Sequence, residues 1–303
     1  MAGTVRVNHG GRHLTVGNLD KVMYPTTGFT KADVIAYYAA IAPVMVPHLT
    51  GRPITMVRFP DGVDGESFFE KRCPGHRPDW ITTTHVGRSD DAKSYTACVF
   101  DEPAALVWAA NLAALELHAP LALADDPSTP TQVVFDLDPG APADITDCAQ
   151  VAFDLRAVLD AAGLVGFVKT SGSKGLHIAV PLNAPAGTGA DHDTTREFAL
   201  AVGQVLAKRR SDVVVDMDRS ARRGKVFVDW SQNARHKTTV SVYSLRGRER
   251  PTVSAPLTWD ELEDRASSGP TALGLETAEV LERAEEHDDL HAEVLTLEQE
   301  LPG

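Results

Sequence analysis

The chain has 303 residues, with 29 Lys+Arg against 42 Asp+Glu and a formal net charge of −13. A hydrophobic fraction of 43% predicts a globular rather than a disordered chain, and we expect no apolar run long enough to span a membrane. Three scattered cysteines argue against a disulfide framework and fit a reducing cytosol. The total charge, taken alone, argues against a nucleic-acid partner, because phosphate is bound mainly by Lys and Arg.

Hydrophobic periodicity and capping residues predict five helices, and short apolar runs predict strands between them. Thr30 and Asp33 have capping-box spacing at the start of the first helix, and Gly163 is expected to close the third. Pro43 is expected to kink or shorten the first helix, and Asp101 to cap the second. The helices are expected at Thr30–Pro47, Pro103–Leu117, Thr146–Ala162, Thr195–Arg209 and Glu276–Asp289. The strands are expected at Ile54–Phe59, Gln132–Asp138, Gly166–Thr170, Leu176–Pro181, Lys225–Trp230 and Thr238–Tyr243. This mixture predicts an α/β (α+β) domain over residues 1–256.

The negative charge is concentrated in a C-terminal tail. Residues 260–303 carry 14 acidic and two basic side chains, which leaves a net charge of only −1 on residues 1–259. The segment from Lys208 to Arg250 has a local excess of +7. We therefore expect an acidic helical tail, residues 257–303, packed on or extending from a body that can still meet a polyanion.

The segment VVFDLDPG, residues 133–140, is an apolar strand that ends in two acids. At positions i and i+2 of a strand, Asp136 and Asp138 project from the same face. Two neighbouring carboxylates repel each other unless a cation lies between them, and Mg²⁺ and Mn²⁺ prefer oxygen ligands. The pair therefore indicates a metal site, with exposed turn carboxylates as the alternative.

A second apolar strand, VFVDW at residues 226–230, carries Asp229. If this strand lies beside the first, three carboxylates converge as a two-metal phosphoryl-transfer site requires. The alternative is that Asp229 caps a turn or pairs with Arg222 or Arg223.

The segment KTSGSKGLH, residues 169–177, is a glycine-punctuated turn between two strands. Backbone N–H groups in such a turn can bind phosphate, with Lys174 adding a positive charge and His177 projecting from the following strand. The spacing differs from that of a Walker A loop, and an ordinary hairpin turn remains the alternative.

These three motifs, in this order, resemble the archaeo-eukaryotic primase superfamily, and the flanking sequences resemble the polymerase domain of bacterial DNA ligase D. The resemblance extends from Asn18 to Trp259. The flanking sequences are NLDKVMYP (18–25), FFEK (68–71), NLAALELH (111–118), GKVFVDWSQN (224–233) and YSLRGR (243–248).

The resemblance implies a primase-polymerase fold, with central, mostly antiparallel sheets (RRM-like in the catalytic part) flanked by helices. It implies roles for individual residues, each carried over to the matching position. The implied catalytic and metal-binding acids are Asp136, Asp138 and Asp229. The implied nucleotide-binding residues are Phe69, His118, Ser171, Lys174, His177, Arg222, Gln232 and Arg246, and the implied ligands of a DNA 5′-phosphate are Lys21 and Lys31.

The same resemblance implies an NTP substrate, two Mn²⁺ (or Mg²⁺) ions and a preference for ribonucleotides. The implied partners are DNA with gaps or double-strand-break ends, the end-binding protein Ku and a separate DNA ligase, with no membrane partner. We expect a cytoplasmic, nucleoid-associated enzyme that fills gaps and processes ends in non-homologous end joining.

Some features depart from the family pattern. The loop GRSDDAKS, residues 87–94, carries two acids where the family's loop helps two DNA ends meet, and Ser241-Val242 stands where Ala-Pro is usual. The chain contains no Lys-x-Asp-Gly ligase signature. We therefore expect no ligase activity in it, either as a stand-alone paralogue or as an excised domain.

Two other functions remain open from the residues. A haloacid-dehalogenase-type phosphatase also begins with an apolar strand and Asp-x-Asp, with the first Asp as nucleophile. A catalytically silent DNA-end-binding module is the other. Zinc binding is not expected, because Cys73 and His76 have no second pair of ligands.

Overall fold

The computed structural model describes residues 3–87, 94–185 and 187–302. The loop with the two acids at positions 90 and 91 lies outside the described residues. In chain order the strands are β1 (Thr4–His9), β2 (Arg12–Gly17), β3 (Val22–Tyr24), β4 (Phe29–Thr30), β5 (Thr55–Arg58), β6 (Phe68–Glu70), β7 (Thr83–Val86), β8 (Tyr95–Cys98), β9 (Ala114–Ala119), β10 (Gln132–Pro139), β11 (Phe167–Thr170), β12 (Leu176–Pro181), β13 (Val213–Val214), β14 (Val226–Asp229), β15 (Thr239–Val240) and β16 (Pro256–Leu257). The α-helices are α1 (Lys31–Leu49), α2 (Pro103–Asn111), α3 (Ile145–Ala161), α4 (His192–Arg209), α5 (Trp259–Ser267) and α6 (Thr277–His287).

The chain forms two compact units, and segments of the acidic tail belong to each. The first unit comprises Met1–Pro120, Val240–Val253 and Glu276–Asp289, and the second comprises Leu121–Thr239, Ser254–Leu275 and Leu290–Gly303. Within the second unit, Gln299 Nε2 donates to the carbonyl of Pro181 at the end of β12, at 2.9 Å. The tail beyond residue 257 thus packs on other elements within each unit, and the boundary at residue 256 stays a prediction.

The first unit is built on a four-stranded sheet with the order β15-β9-β5-β6. Helix α2 packs on β9, and α1 packs on α2 and donates from the Tyr38 hydroxyl to the carbonyl of Leu115 in β9. A capping box formed by Thr30 and Asp33 starts α1, as its sequence predicts. Pro43 does not shorten the helix, which continues to Leu49. The buried face of α1, with Ile41 fully excluded from solvent, offsets the hydrogen bond that the proline cannot make.

Helix α1 contradicts the expectation that no apolar run is long enough to span a membrane. Its 19 residues are long and apolar enough to cross a membrane by length and composition, although 44% of the relevant window is buried in the protein. A core helix passes the same test. The side chains of Tyr38, Met45 and Leu49 are fully buried, so we assign α1 to the core of the first unit.

The predicted helix at Pro103–Leu117 is wrong in its second half. Helix α2 ends at Asn111, Ala113 adopts a φ of +59°, and β9 follows as an inner strand between β15 and β5. Asp101 is not the cap, since the N-cap residue is Glu102. An apolar run of this length fits a buried strand as well as a buried helix, and pairing with β5 decides for the strand.

The second unit contains a six-stranded sheet with the order β13-β14-β10-β12-β11-β16. All its pairs are antiparallel except β13–β14. Helices α3 and α4 pack on β10, and Gly163 closes α3 with a φ of +74°, as expected. The α/β class with mostly antiparallel sheets and flanking helices is therefore confirmed.

Cys73 and Cys98 form a disulfide, whereas the scattered cysteines argued against a disulfide framework. The Cys73 amide donates to the carbonyl of Thr96 in β8 at 2.8 Å, so the fold brings together two residues that are 25 positions apart. The third cysteine, Cys148, is buried, and burial raises its thiol pKa well above the usual range.

Candidate active site

The acids of the two motifs meet at the centre of the second unit's sheet. Strand β10 lies between β12 and β14, and its Asp136 is opposite His177 on one side and Asp229 on the other. Asp138 follows two positions along β10, opposite Phe227 of β14. The strand of VFVDW therefore lies beside that of VVFDLDPG, which is the condition under which the three carboxylates converge.

A glutamine links two of these acids. Gln232 lies in the 3-10 helix Trp230–Asn233, directly after β14, and its Nε2 is 3.3 Å from Asp136 Oδ2 and 3.5 Å from Asp229 Oδ2. Asp229 Oδ1 accepts hydrogen bonds from the amide and hydroxyl of Ser231, at 3.0 and 2.6 Å. Asp229 thus has the capping role that its sequence position suggested, while its other oxygen faces the amide group of Gln232.

Asp136 and Asp138 have different electrostatic surroundings. Burial by itself raises the pKa of Asp136, but the interaction with His177, the positive charge of Lys169 and a hydrogen bond from Gln232 lower it overall. Burial and the negative charge of Asp136 raise the pKa of Asp138 to about 6, against a smaller opposing effect of Lys174. The surroundings of Asp136 therefore favour its charged form, whereas those of Asp138 disfavour it.

Lys169 is a buried cation behind these carboxylates that the sequence analysis did not single out. Its side chain is 7% exposed, and its Nζ lies 2.6 Å from Ser254 Oγ and 3.1 Å from His177 Nδ1. A protonated lysine donates to Nδ1, which leaves the proton of the neutral imidazole on Nε2, 3.3 Å from Asp136 Oδ1. A charged residue within the apolar strand FVKT was the signal that could have revealed it.

The turn between β11 and β12 is organised by Ser171. Its Oγ accepts from the amides of Ser173 and Gly175, at 3.3 and 3.2 Å, so these two donors already have a partner. A Cβ atom at Gly175 would lie 2.1 Å from the carbonyl oxygen of Leu137 in β10. The glycine therefore allows the turn to lie against the strand that carries the acids, and Lys174 stays exposed.

Arg222 lies beside the same strand. Its guanidinium is 3.5 Å from the centre of the Phe227 ring, and its Nη2 donates to the carbonyl of Met217. A Cβ atom at Gly140 would lie 1.9 Å from the carbonyl oxygen of Arg222, so glycine is required there for the close approach of the two backbones. The positive charge of Arg222 also acts on Asp138, where it lowers the pKa.

Three of the residues implied for nucleotide binding lie together in the first unit. Glu116 of β9, which is 7% exposed, has its Oε2 2.8 Å from His118 Nε2 and its Oε1 3.2 Å from Arg246 Nε. The exposed ring of Phe69 meets the ring of His118 edge-on, with centroids 6.1 Å apart. Burial favours a raised pKa for Glu116, but His118, Arg246 and the amide of Gly247 lower it to about 2.

Glu116 is the second residue that the sequence analysis missed. It was included in a predicted helix, where a glutamate needs no special explanation. Its position in a buried strand is the signal that it has a function, because a buried charge requires partners.

Lys21 and Lys31 lie at the N-terminal side of the first unit. Lys21 Nζ pairs with Asp61 at 2.8 Å and lines an open groove of about 590 Å³. Lys31 is 6% exposed and donates to the carbonyl of Gly17. Burial and the charge of Lys21 lower the pKa of Lys31. Lys21 is therefore a paired lysine at the groove, and Lys31 is a buried one.

The donor set of the second unit fits a hard divalent cation. Carboxylate oxygens predominate, the charge of Asp138 is only partly offset, and Gln232 Oε1 is buried without a hydrogen-bond partner among the described residues. Within residues 3–87, 94–185 and 187–302, no group of three or more His, Cys, Asp or Glu side chains is drawn together as a metal site. The donor chemistry therefore fits the ion, while the side chains do not form a closed set of ligands.

Paired strand acids, backed by a buried lysine and histidine on a mostly antiparallel sheet, are the arrangement expected of a nucleotidyltransferase. The family model of the LigD primase-polymerase domain matches residues 30–291. The chain belongs to this family, and the predicted enzyme class, a nucleotidyltransferase, is thereby confirmed. Nothing supports the phosphatase or the silent end-binding module.

Similar proteins agree with this assignment. The multifunctional non-homologous end joining protein LigD of Mycolicibacterium smegmatis is 42% identical over 91% of the chain and 35% of its own length. The bifunctional LigD of Bacillus subtilis is 32% identical over 62% of the chain and 29% of its own length. The chain thus spans about a third of the length of its mycobacterial relative.

A solved structure confirms the fold. The polymerase domain of Mycobacterium tuberculosis ligase D, in complex with DNA, matches with a TM-score of 0.85 and 40% identity, over 94% of this chain and 99% of that one. The predicted primase-polymerase fold is therefore correct.

Proposed function

We propose that this chain adds ribonucleotides, and deoxynucleotides less well, to the 3′ end of a DNA primer, and that it fills gaps and processes ends in non-homologous end joining. The observation that carries the proposal is the register of β10, which pairs Asp136 directly with Asp229 and places Asp138 two residues further. In the reaction the primer 3′-oxygen bonds to the α-phosphorus of the NTP, the hydroxyl proton passes to solvent, and pyrophosphate leaves.

In the second unit, Asp136, Asp138 and Asp229 would hold two Mn²⁺ (or Mg²⁺) ions, which when bound polarise the attacking hydroxyl and neutralise the leaving phosphate. Lys174 and Arg222 bring positive charge to the side of Asp138, as the pKa of that acid indicates, and would bind phosphate oxygens. Ser171 holds the turn in shape through its two backbone contacts and would contribute to the same phosphate contacts.

His177 and Gln232 flank Asp136 and would orient it. Lys169 holds the His177 ring, and His177 in turn faces Asp136, so the carboxylate is fixed from one side. Gln232 contacts it from the other side and would also lie near the nucleotide sugar. Support for these roles is the buried position of Asp136 and the lowered pKa that its neighbours produce.

In the first unit, Phe69 would stack on a base, His118 would contact a nucleotide sugar and Arg246 a phosphate. The 65% exposure of Phe69 supports stacking, because a core phenylalanine would be covered. Glu116 would keep His118 and Arg246 in place through its two oxygens.

The proposed partners are NTP and DNA with gaps or broken ends, together with Ku and a separate DNA ligase, and the proposed location is the cytoplasm, at the nucleoid. Lys21 and Lys31 would bind the 5′-phosphate across a gap. The groove beside Lys21 and the mutual electrostatic effect of the two lysines support that assignment.

Primer extension on 5′-phosphorylated gapped DNA tests the proposal. We expect faster incorporation of rNTP than of dNTP and faster reaction with Mn²⁺ than with Mg²⁺. Asp136→Asn should abolish extension, whereas Asp160→Asn, an exposed acid on α3, should leave it unchanged. Extension at the wild-type rate by Asp136→Asn would refute the mechanism.

A further inference from the structure

The hairpin that carries Arg246 is held by both ends of a helix from the acidic tail. We call residues 244–253 the Arg246 hairpin. It closes through an antiparallel bridge between Leu245 and Val253 and a hydrogen bond from the Arg246 amide to the Thr252 carbonyl, at 2.9 Å. Both the hairpin and helix α6 belong to the first unit.

The N-terminal end of α6 contacts the returning arm of the hairpin. Glu276, the N-cap residue of α6, forms a β-bridge with Thr252, and its carboxylate pairs with the guanidinium of Arg250. The carbonyl of Thr252 in turn accepts a hydrogen bond from the amide of Arg246. A single residue, Thr252, therefore links Glu276 to the proposed phosphate ligand.

The C-terminal end of α6 contacts the residue that precedes the hairpin. Asp289, two positions after the helix, accepts a hydrogen bond from the Tyr243 hydroxyl at 2.9 Å through Oδ1, and its Oδ2 lies 2.7 Å from His48 Nε2. The two acids that flank α6 thus hold the two sides of the hairpin.

Tyr243 has a backbone conformation that needs such support. Its φ is +65°, a region that residues with a side chain rarely occupy, and its side chain is 2% exposed. The hydroxyl of Tyr37 donates to the Tyr243 carbonyl at 2.7 Å, and the Leu245 amide donates to the hydroxyl of Tyr38 at 3.1 Å. The surrounding contacts keep Tyr243 in this strained conformation. The conformation sets the direction of the chain as it enters the Arg246 hairpin.

We infer that the tail segment 276–289 is a positioning element for Arg246, which fixes the hairpin through Glu276 and Asp289. This inference rests on the proposed function of Arg246 as a ligand of the nucleotide phosphates. It gives a use to two of the tail's acidic residues, Glu276 and Asp289.

The test measures primer extension on gapped DNA by two kinds of variant. The first kind loses a contact between the tail segment 276–289 and the hairpin region, and the control loses exposed charges of α6. Tyr243→Phe and Glu276→Gln each remove one contact to the hairpin and should raise the KM for NTP about three- to tenfold, the effect of one lost hydrogen bond. The kcat and the thermal unfolding midpoint of Tyr243→Phe should stay close to wild type. The matched control Glu282→Gln/Glu285→Gln removes two exposed charges from the same helix and should leave the KM unchanged.

A conservative substitution of Asp289 tests whether the contact with Tyr243 can be preserved. Asp289→Asn keeps an oxygen acceptor for the Tyr243 hydroxyl and should retain a lower KM than Asp289→Ala. Equal KM values for these two variants, or a rise of the KM in the control that matches Tyr243→Phe, would overturn the inference.

A double-mutant cycle separates this inference from the proposed function. Arg246→Gln should raise the KM strongly, and Tyr243→Phe should add little in that background, because its effect passes through the arginine. If Arg246→Gln leaves the KM unchanged, the phosphate role of Arg246 is wrong. If Arg246→Gln raises the KM but the two changes are additive, Arg246 keeps its role and the positioning by the tail is wrong.

Discussion

Each unit of the molecule contains buried carboxylates, and their electrostatic surroundings are opposite. Glu116 in the first unit is surrounded by His118, Arg246 and a backbone amide, and its pKa falls to about 2. Asp138 in the second unit is half-buried beside Asp136, and its pKa rises to about 6. The first carboxylate has its partners within the protein, whereas the charge of the second is only partly offset by Lys174 and Arg222. A buried acid that stabilises the fold can thus be distinguished from one prepared for a ligand.

The largest expected effect is the loss of catalysis in Asp138→Asn, although we expect the same substitution to make the protein more stable. Asp138→Asn should lower primer extension by about a hundred- to thousandfold, the range seen when a key electrostatic contact is removed. The same change should raise the free energy of unfolding by about 1–2 kcal/mol at pH 7 without divalent metal, because a half-buried, repelled charge is gone. Extension assays and chemical denaturation in EDTA measure the two effects.

The stability gain should depend on pH. Because the folded-state pKa of Asp138 is raised from 3.8 to about 6, its charge penalises the folded state above pH 6, and the penalty vanishes as the pH falls towards 4. Wild type and Asp138→Asn should therefore converge in stability near pH 4. A variant that is less stable than wild type at pH 7 would show that Asp138 is already compensated.

Glu116→Gln should have the opposite effect on stability. Removing one partner from a buried ion pair leaves the charge of Arg246 uncompensated, which costs about 3–5 kcal/mol. The folded-state pKa of Glu116 is depressed from 4.5 to about 2, so its contribution is complete above pH 4.5 and is lost as the pH falls towards 2. Urea denaturation across this range should show a weaker acid dependence in the variant than in wild type, with exposed Glu282→Gln as the control.

Substitution of Lys169 tests whether the buried positive charge near Asp136 contributes to catalysis. Lys169→Met should slow extension about tenfold or more, because the cation that holds the His177 ring beside Asp136 is removed and the carboxylate loses its fixed position. Lys169→Arg should recover part of the rate. Lys208→Met, an exposed lysine on α4, is the matched control, and a similar loss in all three variants would argue against a specific role.

The smallest expected effect concerns exposed acids. Truncation at residue 260 would remove packed segments of both units, so charge neutralisation is the cleaner test of the tail. Replacing Glu282, Glu285 and Glu286 by Gln should strengthen DNA binding by less than about tenfold at low salt, and the gain should disappear at high salt because exposed charges are screened. Fluorescence anisotropy at two salt concentrations measures this.

The sequence predicted the acids better than the residues that hold them. Asp136, Asp138 and Asp229 stand at the ends of apolar strands, a pattern with few structural explanations. Lys169 and Glu116 are single charges whose meaning depends on which strands become neighbours. Pairing in the sheet is a non-local property, so their partners could not be read from local spacing.

The same limit explains the errors in the fold. The run that contains Ala114–Ala119 suits a helix by composition, and only its pairing with β5 makes it a strand. The disulfide between Cys73 and Cys98 likewise depends on the contact of Cys73 with β8. Capping residues, in contrast, act within one turn of helix, which is why Thr30 and Gly163 were predicted correctly.

The state of the three cysteines has a practical consequence for fluorescence work. Cys73 and Cys98 are joined, and Cys148 is buried with a raised thiol pKa, so under non-reducing conditions the native chain presents little reactive thiolate. A single cysteine introduced at an exposed position of α6, such as Ala278→Cys, would then be the preferred site for a maleimide dye. Encounters between this protein and labelled DNA ends could be followed by single-molecule energy transfer without first removing a native cysteine.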